Sequence, residues 1–182
     1  MPDKHPGGLP VAAAALTATV ALYISLVVFG NITDFDTNRQ FVRHVLAMDT
    51  TFQDKALMWR AITNHALQDI AYVAVIVWEA VTALALLRAT ELWARALRRA
   101  RRGGTAEYGA ARRASTLGLV LLMLLFGAGF IAVGGEWFAM WQSAKWNGLA
   151  AAARNFFLAG FVLLLVQLPS PQWGKERAAA RV

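Results

Sequence analysis

Four stretches of about twenty residues with almost no charged side chains constrain this chain more than any other feature. They lie at about 11–30, 62–87, 116–135 and 149–168. Each is long enough to cross the roughly 30 Å hydrocarbon layer as an α-helix, and a chain of this size has no other way to satisfy its backbone in lipid. The 58% hydrophobic content also exceeds the roughly 45–50% of soluble domains. The sequence therefore predicts an all-α, polytopic membrane four-helix bundle in one domain, residues 1–182.

The positions of the cations predict how this bundle is oriented. Lys and Arg close to the end of a span resist translocation across the membrane. Eight arginines lie in the loop at 88–115, and three cations lie in the tail at 169–182 (Lys175, Arg177 and Arg181). We therefore expect the loop, the tail and both termini to be cytoplasmic, with the first span acting as an uncleaved signal anchor. The net charge of +7 is interpreted as this sidedness signal, and no nucleic-acid partner is expected.

The second span is predicted to continue as a helix beyond the bilayer on both sides. Residues 54–102 contain neither Gly nor Pro, and Gly103 and Gly104 then provide a stop. An apolar stripe with helical spacing follows the span among the arginines, at Leu92, Trp93, Ala96 and Leu97. The stripe and its arginines are typical either of a basic arm that lies on anionic headgroups or of a solvated anchor that only fixes topology.

The two remaining loops face outward on this topology and contain the most specific residues. An amphipathic interfacial helix is predicted from Arg39 to Met48, capped by Thr37 and Gln40 as a T-x-x-Q box. Each half of the chain consists of a span, an outward polar and aromatic loop and a second span, so a 2+2 repeat is possible and the two loops are expected to pack together as an aromatic cap. We predict a ligand or partner surface at Asp34, His44, Asp49, Glu136, Trp137, Trp141, Trp146 and Asn147.

Several strings in these loops are specific enough to compare with a known family. They are Asn-Ile-Thr-Asp at 31–34, His-Val-Leu-Ala-Met-Asp-Thr-Thr-Phe at 44–52, and Gly-Glu-Trp-Phe-Ala-Met-Trp-Gln-Ser at 135–143. With these strings the chain resembles, over nearly its whole length, a bacterial family of predicted small integral membrane proteins that is known only as a domain of unknown function. The resemblance implies a four-helix membrane protein of bacteria, and we expect it in the inner membrane. It supplies no activity and no site residues.

Polar residues inside the spans provide a second set of candidates, because charged groups in hydrocarbon are costly and are usually paired or functional. Steps of three and four residues place one stripe of the second span toward the bundle interior. The stripe consists of His65, Asp69, Tyr72 and Glu79. Arg154 lies about one turn into the fourth span, where it could reach Asp69 or Glu136 or extend to the headgroups. The alternatives are structural ion pairing and a proton-relay or small-ligand site.

A metal or haem site is a further alternative, although no cofactor is predicted. His44, His65 and Glu136 are the metal candidates, and imidazole with carboxylate suits zinc or iron. The chain has no cysteine, which excludes thiolate metal sites, thioether haem attachment and cysteine nucleophiles. No P-loop, G-x-G-x-x-G or G-x-S-x-G motif is present either.

Three classes of function are compatible with these features. The sequence favours a non-catalytic accessory subunit, or a module that binds a partner or ligand, with its functional surface on the periplasmic side. The alternatives are a periplasmic-side redox protein with a metal or haem, and a small proton-coupled transporter or channel that acts as an oligomer. Besides the lipid bilayer, the expected partners are another membrane protein complex or further copies of the chain.

Overall fold

The computed structural model describes residues 7–105 and 107–174, which are helical with connecting loops and contain no strand. The helices are α1 (Gly8–Thr33), α2 (Phe35–Ala47), α3 (His65–Arg101), α4 (Gly109–Met123) and α5 (Leu149–Gln167). A π-helical segment, Leu124–Trp137, continues α4 without a break. Short 3-10 turns lie at Met58–Arg60, Met140–Gln142 and Pro171–Trp173. Lys175, Arg177 and Arg181 of the predicted cytoplasmic tail lie outside the described residues.

Four of these helices are long and apolar enough to cross a membrane: α1, α3, α4 with its π-helical continuation, and α5. They overlap the four stretches identified in the sequence and confirm the predicted membrane helical bundle. Close packing depends on small residues. Ala13, Thr17 and Ala21 of α1 are buried, and Gly118 lets α4 approach α3, because a Cβ there would lie 2.6 Å from Leu86 Cγ.

The prediction of an unbroken helix from Asp54 was wrong, since α3 begins only at His65. Two local features stop the helix from starting earlier. The Asp54 side chain accepts a hydrogen bond from the Ala56 amide, a local bond that competes with helix formation. The Asn64 side chain then accepts from the amides of Ala66 and Leu67 and caps α3. At its other end α3 continues to Arg101, as the absence of Gly and Pro predicted.

The amphipathic helix predicted in the first loop is present as α2, but it begins at Phe35 rather than at Arg39. The predicted capping box was wrong: Thr37 lies inside the helix, and its hydroxyl donates to Asp34. Helix α2 runs along the first turns of α3. The Phe35 and Tyr72 rings are 4.8 Å apart, and the Gln68 side chain of α3 donates to the Arg43 carbonyl. These contacts hold α2 beside the bundle.

The two loops at this end pack together, which confirms the prediction of a common structure. We call residues 48–62 and 137–148 the cap. Met48, Phe138 and Ala139 form its buried apolar cluster. The hydroxyls of Thr50 and Ser143 lie 2.8 Å apart, although 93 residues separate them in the chain. The cap therefore joins the two halves of the molecule.

The opposite end of the bundle is closed by an aromatic cluster of Trp93, Tyr108 and Trp173. Trp93 is only 1% exposed, and its indole N–H donates to the Ser115 hydroxyl at 2.8 Å. Leu92, Ala96 and Leu97 pack against the same core. The interpretation of this stripe as a surface that lies on headgroups was wrong, because the stripe is used to pack α3 against the rest of the protein.

Candidate functional site

A cavity of about 230 Å³ lies between α1, α2, α3, α5 and the π-helical segment. Its polar lining comes from four helices, α1, α2, α3 and α5, and the rest of its lining is aromatic and aliphatic. The polar side chains are Tyr23, Asn31, Asn38, Tyr72, Glu79 and Asn155, and the aromatic walls are Phe41, Phe126 and Phe130. Asn38 is exposed, so the cavity reaches the surface beside α2.

A chain of hydrogen bonds leads from this surface to the carboxylate of Glu79. The Asn38 amide donates to Asn31 Oδ1 at 2.6 Å, and the Asn31 amide donates to Glu79 Oε2 at 2.6 Å. The Tyr72 hydroxyl donates to the Asn31 carbonyl at 3.3 Å. Elsewhere in the lining, the Tyr23 hydroxyl of α1 donates to Asn155 Oδ1 of α5 at 2.9 Å. The polar wall is therefore pre-organised.

Glu79 is the unusual member of this site. Its side chain is buried, with 3% of the residue exposed. In residues 7–105 and 107–174, no Lys, Arg or His pairs with it. The only hydrogen bond to its carboxylate there goes to Oε2, so Oε1 has no partner within the described parts of the chain. A buried charge without a counter-ion is costly, and Oε1 is free to accept from a bound group.

Asp69, one turn before Tyr72 on α3, has a different environment from Glu79. Arg39 donates to it through Nε at 2.9 Å and Nη2 at 2.8 Å, and Arg43 donates through Nε and Nη2, both at 2.9 Å. Of the three alternatives for Arg154, contact with Asp69 is wrong: α2 supplies both arginines that bind Asp69, and Arg154 is exposed on α5. Hydrogen bonds to Asp69 and then Asp36 raise the pKa of Arg39 above its ordinary value. The two ion pairs fix α2 to α3.

The surface residues predicted from the two loops lie in the cap and in α2, except Asp34, which directly precedes α2, and Glu136, which lies near the end of the π-helical segment. His44 bonds to Asp49 at 2.7 Å and stacks on Trp146 with ring centroids 4.5 Å apart. Trp137 and Trp141 contact Trp59 and Phe52 edge to face. Asp34, Glu136 and Asn147 are exposed. Asp34 accepts from Thr37, and Asn147 accepts from the Leu149 amide. None of these residues lines the cavity.

The metal candidates are not brought together. His65 is exposed at the start of α3 and bonds to Gln68 at 3.0 Å. His44 lies on α2 and bonds to Asp49. Across residues 7–105 and 107–174 there is no group of three or more His, Cys, Asp or Glu side chains that could hold a metal ion. The described geometry gives no support to the metal or haem alternative.

Several residues of the cavity were missed by sequence reasoning. The candidates did include Tyr72 and Glu79, which line it, but they omitted Tyr23, Asn31, Asn38 and Asn155. The test applied to Asp69, a polar residue within an apolar span, could also have identified Tyr23 and Asn155. Asn31 and Asn38 carry no such signal, because both lie at or beyond the end of the first span, where polar residues are ordinary.

Comparison with known proteins agrees with the fold. A family described as a predicted small integral membrane protein, domain of unknown function 2165, matches residues 9–169. No curated protein and no solved structure gives a significant match to the chain. The matched region includes all four long helices, the cap and every residue that lines the cavity. The chain therefore belongs to this family of small integral membrane proteins.

Proposed function

We propose that this protein is a non-catalytic membrane module that binds a small organic cation in the cavity beside Glu79. One observation carries the proposal: a carboxylate that is 3% exposed lines a cavity and has a free oxygen and no cationic partner in the described residues. A cationic ligand would supply the missing counter-charge. The ligand would thereby remove much of the energetic cost of burying Glu79.

The walls of the cavity favour an organic cation over a bare metal ion. Phe41, Phe126 and Phe130 line the cavity with aromatic rings. Aromatic faces attract ammonium groups, and the attraction strengthens when the pair is removed from water. A metal ion would need several oxygen or nitrogen ligands, and Glu79 is the only carboxylate among the lining residues.

The proposal includes a location and an orientation. The arginines of 88–115 support a bacterial inner membrane protein with both termini in the cytoplasm. The cavity opens beside α2, at the end of the bundle that carries the cap. A ligand would then enter from the periplasmic side. This agrees with a binding or accessory role, in which the aromatic cap is available to a partner protein.

Titration of the full chain in lipid nanodiscs tests the proposal. The probe is benzyltrimethylammonium, and its uncharged carbon isostere, neopentylbenzene, is the control ligand. We expect the cation to bind and the isostere to bind at least about tenfold more weakly, because the isostere lacks the charge that pairs with the carboxylate. Isothermal titration calorimetry measures both.

Two variants separate the site from the rest of the protein. Glu79→Gln retains the shape of the side chain and its hydrogen bond from Asn31, and we expect it to lower the affinity for the cation by at least about tenfold. Glu136→Gln removes an exposed acid next to the cap and should leave binding unchanged. Equal affinity in wild type and Glu79→Gln, or no binding of the cation at all, would contradict the proposal.

Proton-coupled transport is a second candidate, and the cavity that is lined both by exposed Asn38 and by buried Glu79 favours it. Such a cavity could connect the cap side to a titratable group inside the bundle. Proteoliposomes loaded with a pH-sensitive dye distinguish the two functions. A proton flux that Glu79→Gln abolishes would favour transport, whereas cation binding without any flux would favour the binding module.

A further inference from the structure

A second cavity of about 210 Å³ lies next to the first, between α2, α3, the π-helical segment and the cap. Its lining is almost entirely apolar. Four residues belong to the linings of both cavities, so a single layer of side chains separates them: Phe41, Val42, Val75 and Phe130. Beyond that layer the second cavity is bounded by apolar residues and glycines, among them Ala71, Gly129 and Phe138.

The two cavities differ in chemistry and complement each other in size. One contains a carboxylate, three asparagines and two tyrosines, whereas the other contains no charged residue. At about 230 and 210 Å³, each is smaller than the roughly 300 Å³ at which pockets for ordinary small ligands begin. Together they exceed that size. A ligand that fills both needs a polar end and an apolar end.

We infer that the ligand is a cationic amphiphile with one aliphatic chain, whose ammonium group lies beside Glu79 and whose chain occupies the apolar cavity. The inference rests on the proposed function, because the position of the cationic end fixes the direction of the chain. To reach the apolar cavity, the aliphatic chain of the ligand displaces the shared layer of side chains at Phe41, Val42, Val75 and Phe130. Helix α2 contributes two of these residues, Phe41 and Val42, and both are only partly buried.

Gly129 offers a way to fill the apolar cavity without touching the polar one. It lines only the second cavity, and a Cβ built there would meet no atom closer than Leu125 Cδ1 at 4.0 Å. A leucine at this position therefore has room to enter and would occupy the space assigned to the chain. Ala71 also lines only the second cavity, from α3, and provides an independent site for the same change.

The experiment measures affinity against chain length. Full-length protein in nanodiscs is titrated with ethyl-, butyl-, hexyl- and octyltrimethylammonium, each below its micelle concentration, and empty nanodiscs are subtracted. We expect the affinity of the wild type to rise about threefold to fourfold for each added methylene until the cavity is full, as expected for burial of a methylene group. Gly129→Leu and Ala71→Leu should both abolish this rise, whereas the affinity for the ethyl compound should be unchanged.

The outcomes separate this inference from the proposed function. If the ethyl compound binds through Glu79 but affinity does not depend on chain length, the inference of an amphiphilic ligand is refuted, whereas the proposed cation site is supported. If affinity still rises with chain length in both leucine variants, the aliphatic chain does not occupy the apolar cavity and the inference is refuted as well. If no member of the series binds, the proposed function fails with it. Gly129→Ala, which fills little space, should behave like the wild type and confirm that backbone changes are not responsible.

Discussion

At the scale of single residues, several polar groups inside the bundle bond to partners on other helices. Ser115 illustrates this at the end opposite the cap. Its hydroxyl accepts from Trp93 Nε1, donates to the Ala111 carbonyl and lies 3.4 Å from Thr17 Oγ1. Ser115 and Thr17 are fully buried. One hydroxyl thus connects α1, α3 and α4.

We predict that Ser115→Ala destabilises the protein by about 1–3 kcal/mol, because the buried indole N–H of Trp93 loses its acceptor. Unfolding in mixed micelles, followed by tryptophan fluorescence, measures the change. Thr19→Ala is the matched control, since Thr19 is exposed and bonds only to the carbonyl of Ala15 in its own helix. Equal stability of the two variants would show that the Trp93 bond contributes nothing.

The residue scale also shows where sequence reasoning succeeds and fails. Hydrophobic periodicity placed His65, Asp69, Tyr72 and Glu79 on one interior face of α3, but only Tyr72 and Glu79 are buried, and His65 is exposed. It could not identify the partners of Asp69, because Arg39 and Arg43 lie on another helix whose course depends on the turn at Asp34. Asp69 is 30 residues from Arg39 and 26 residues from Arg43 along the sequence. Contacts over such separations depend on tertiary packing, which hydrophobic periodicity does not encode.

At the scale of elements, α2 is the most loosely integrated helix, since none of its residues is buried. The ion pairs of Arg39 and Arg43 with Asp69 supply the specific contacts that hold it against α3. The sequence predicted that α2 exists but not where it begins. Helix ends are set by local hydrogen bonds of side chains such as Asp54 and Asn64, and several Asp, Asn and Thr residues nearby could provide them equally well.

We predict that Asp69→Asn detaches α2, because two half-buried guanidinium groups then lose their shared carboxylate. The chain has no cysteine, so a single Val45→Cys serves as a reporter on the packed face of α2. Thiol labelling of Val45→Cys should become at least about tenfold faster with Asp69→Asn, as expected when the free energy of local opening falls by about 1.4 kcal/mol.

Gln40→Cys is the control for this experiment, because Gln40 is exposed on the same helix. Its labelling should be fast in both backgrounds. If the labelling of Val45→Cys is unaffected by Asp69→Asn, apolar contacts of Val45 and Leu46 with the cap hold α2, and the ion pairs are not required.

At the scale of the whole molecule, the fold was the most predictable property. Four apolar stretches and the cost of unpaired backbone in lipid leave few alternatives to a helical bundle. The cavity was not predictable to the same degree. It arises where α2, α5 and the π-helical segment meet, and the relative rotation of these helices depends on contacts such as that between Gly148 and Phe41, where a Cβ would lie 2.9 Å from the ring.

The orientation of the whole molecule in the membrane can be tested directly. We expect Lys55→Cys in the cap to react with a membrane-impermeant maleimide in intact spheroplasts, whereas Thr105→Cys, in the loop between α3 and α4, should react only after lysis. Both residues are exposed, so the folded protein hides neither thiol. The opposite pattern would reverse the orientation and would place the entrance of the cavity in the cytoplasm.

The joining of the two halves in the cap has a consequence for biogenesis. The cluster around Met48 is completed by Phe138 and Ala139, which are synthesised about 90 residues later and follow the third long helix. A nascent chain that has inserted only α1 and α3 therefore exposes the unfinished cluster beside the bilayer. Completion of the cap thus marks correct insertion of the second half, and quality-control proteases could distinguish finished from stalled chains by this surface alone.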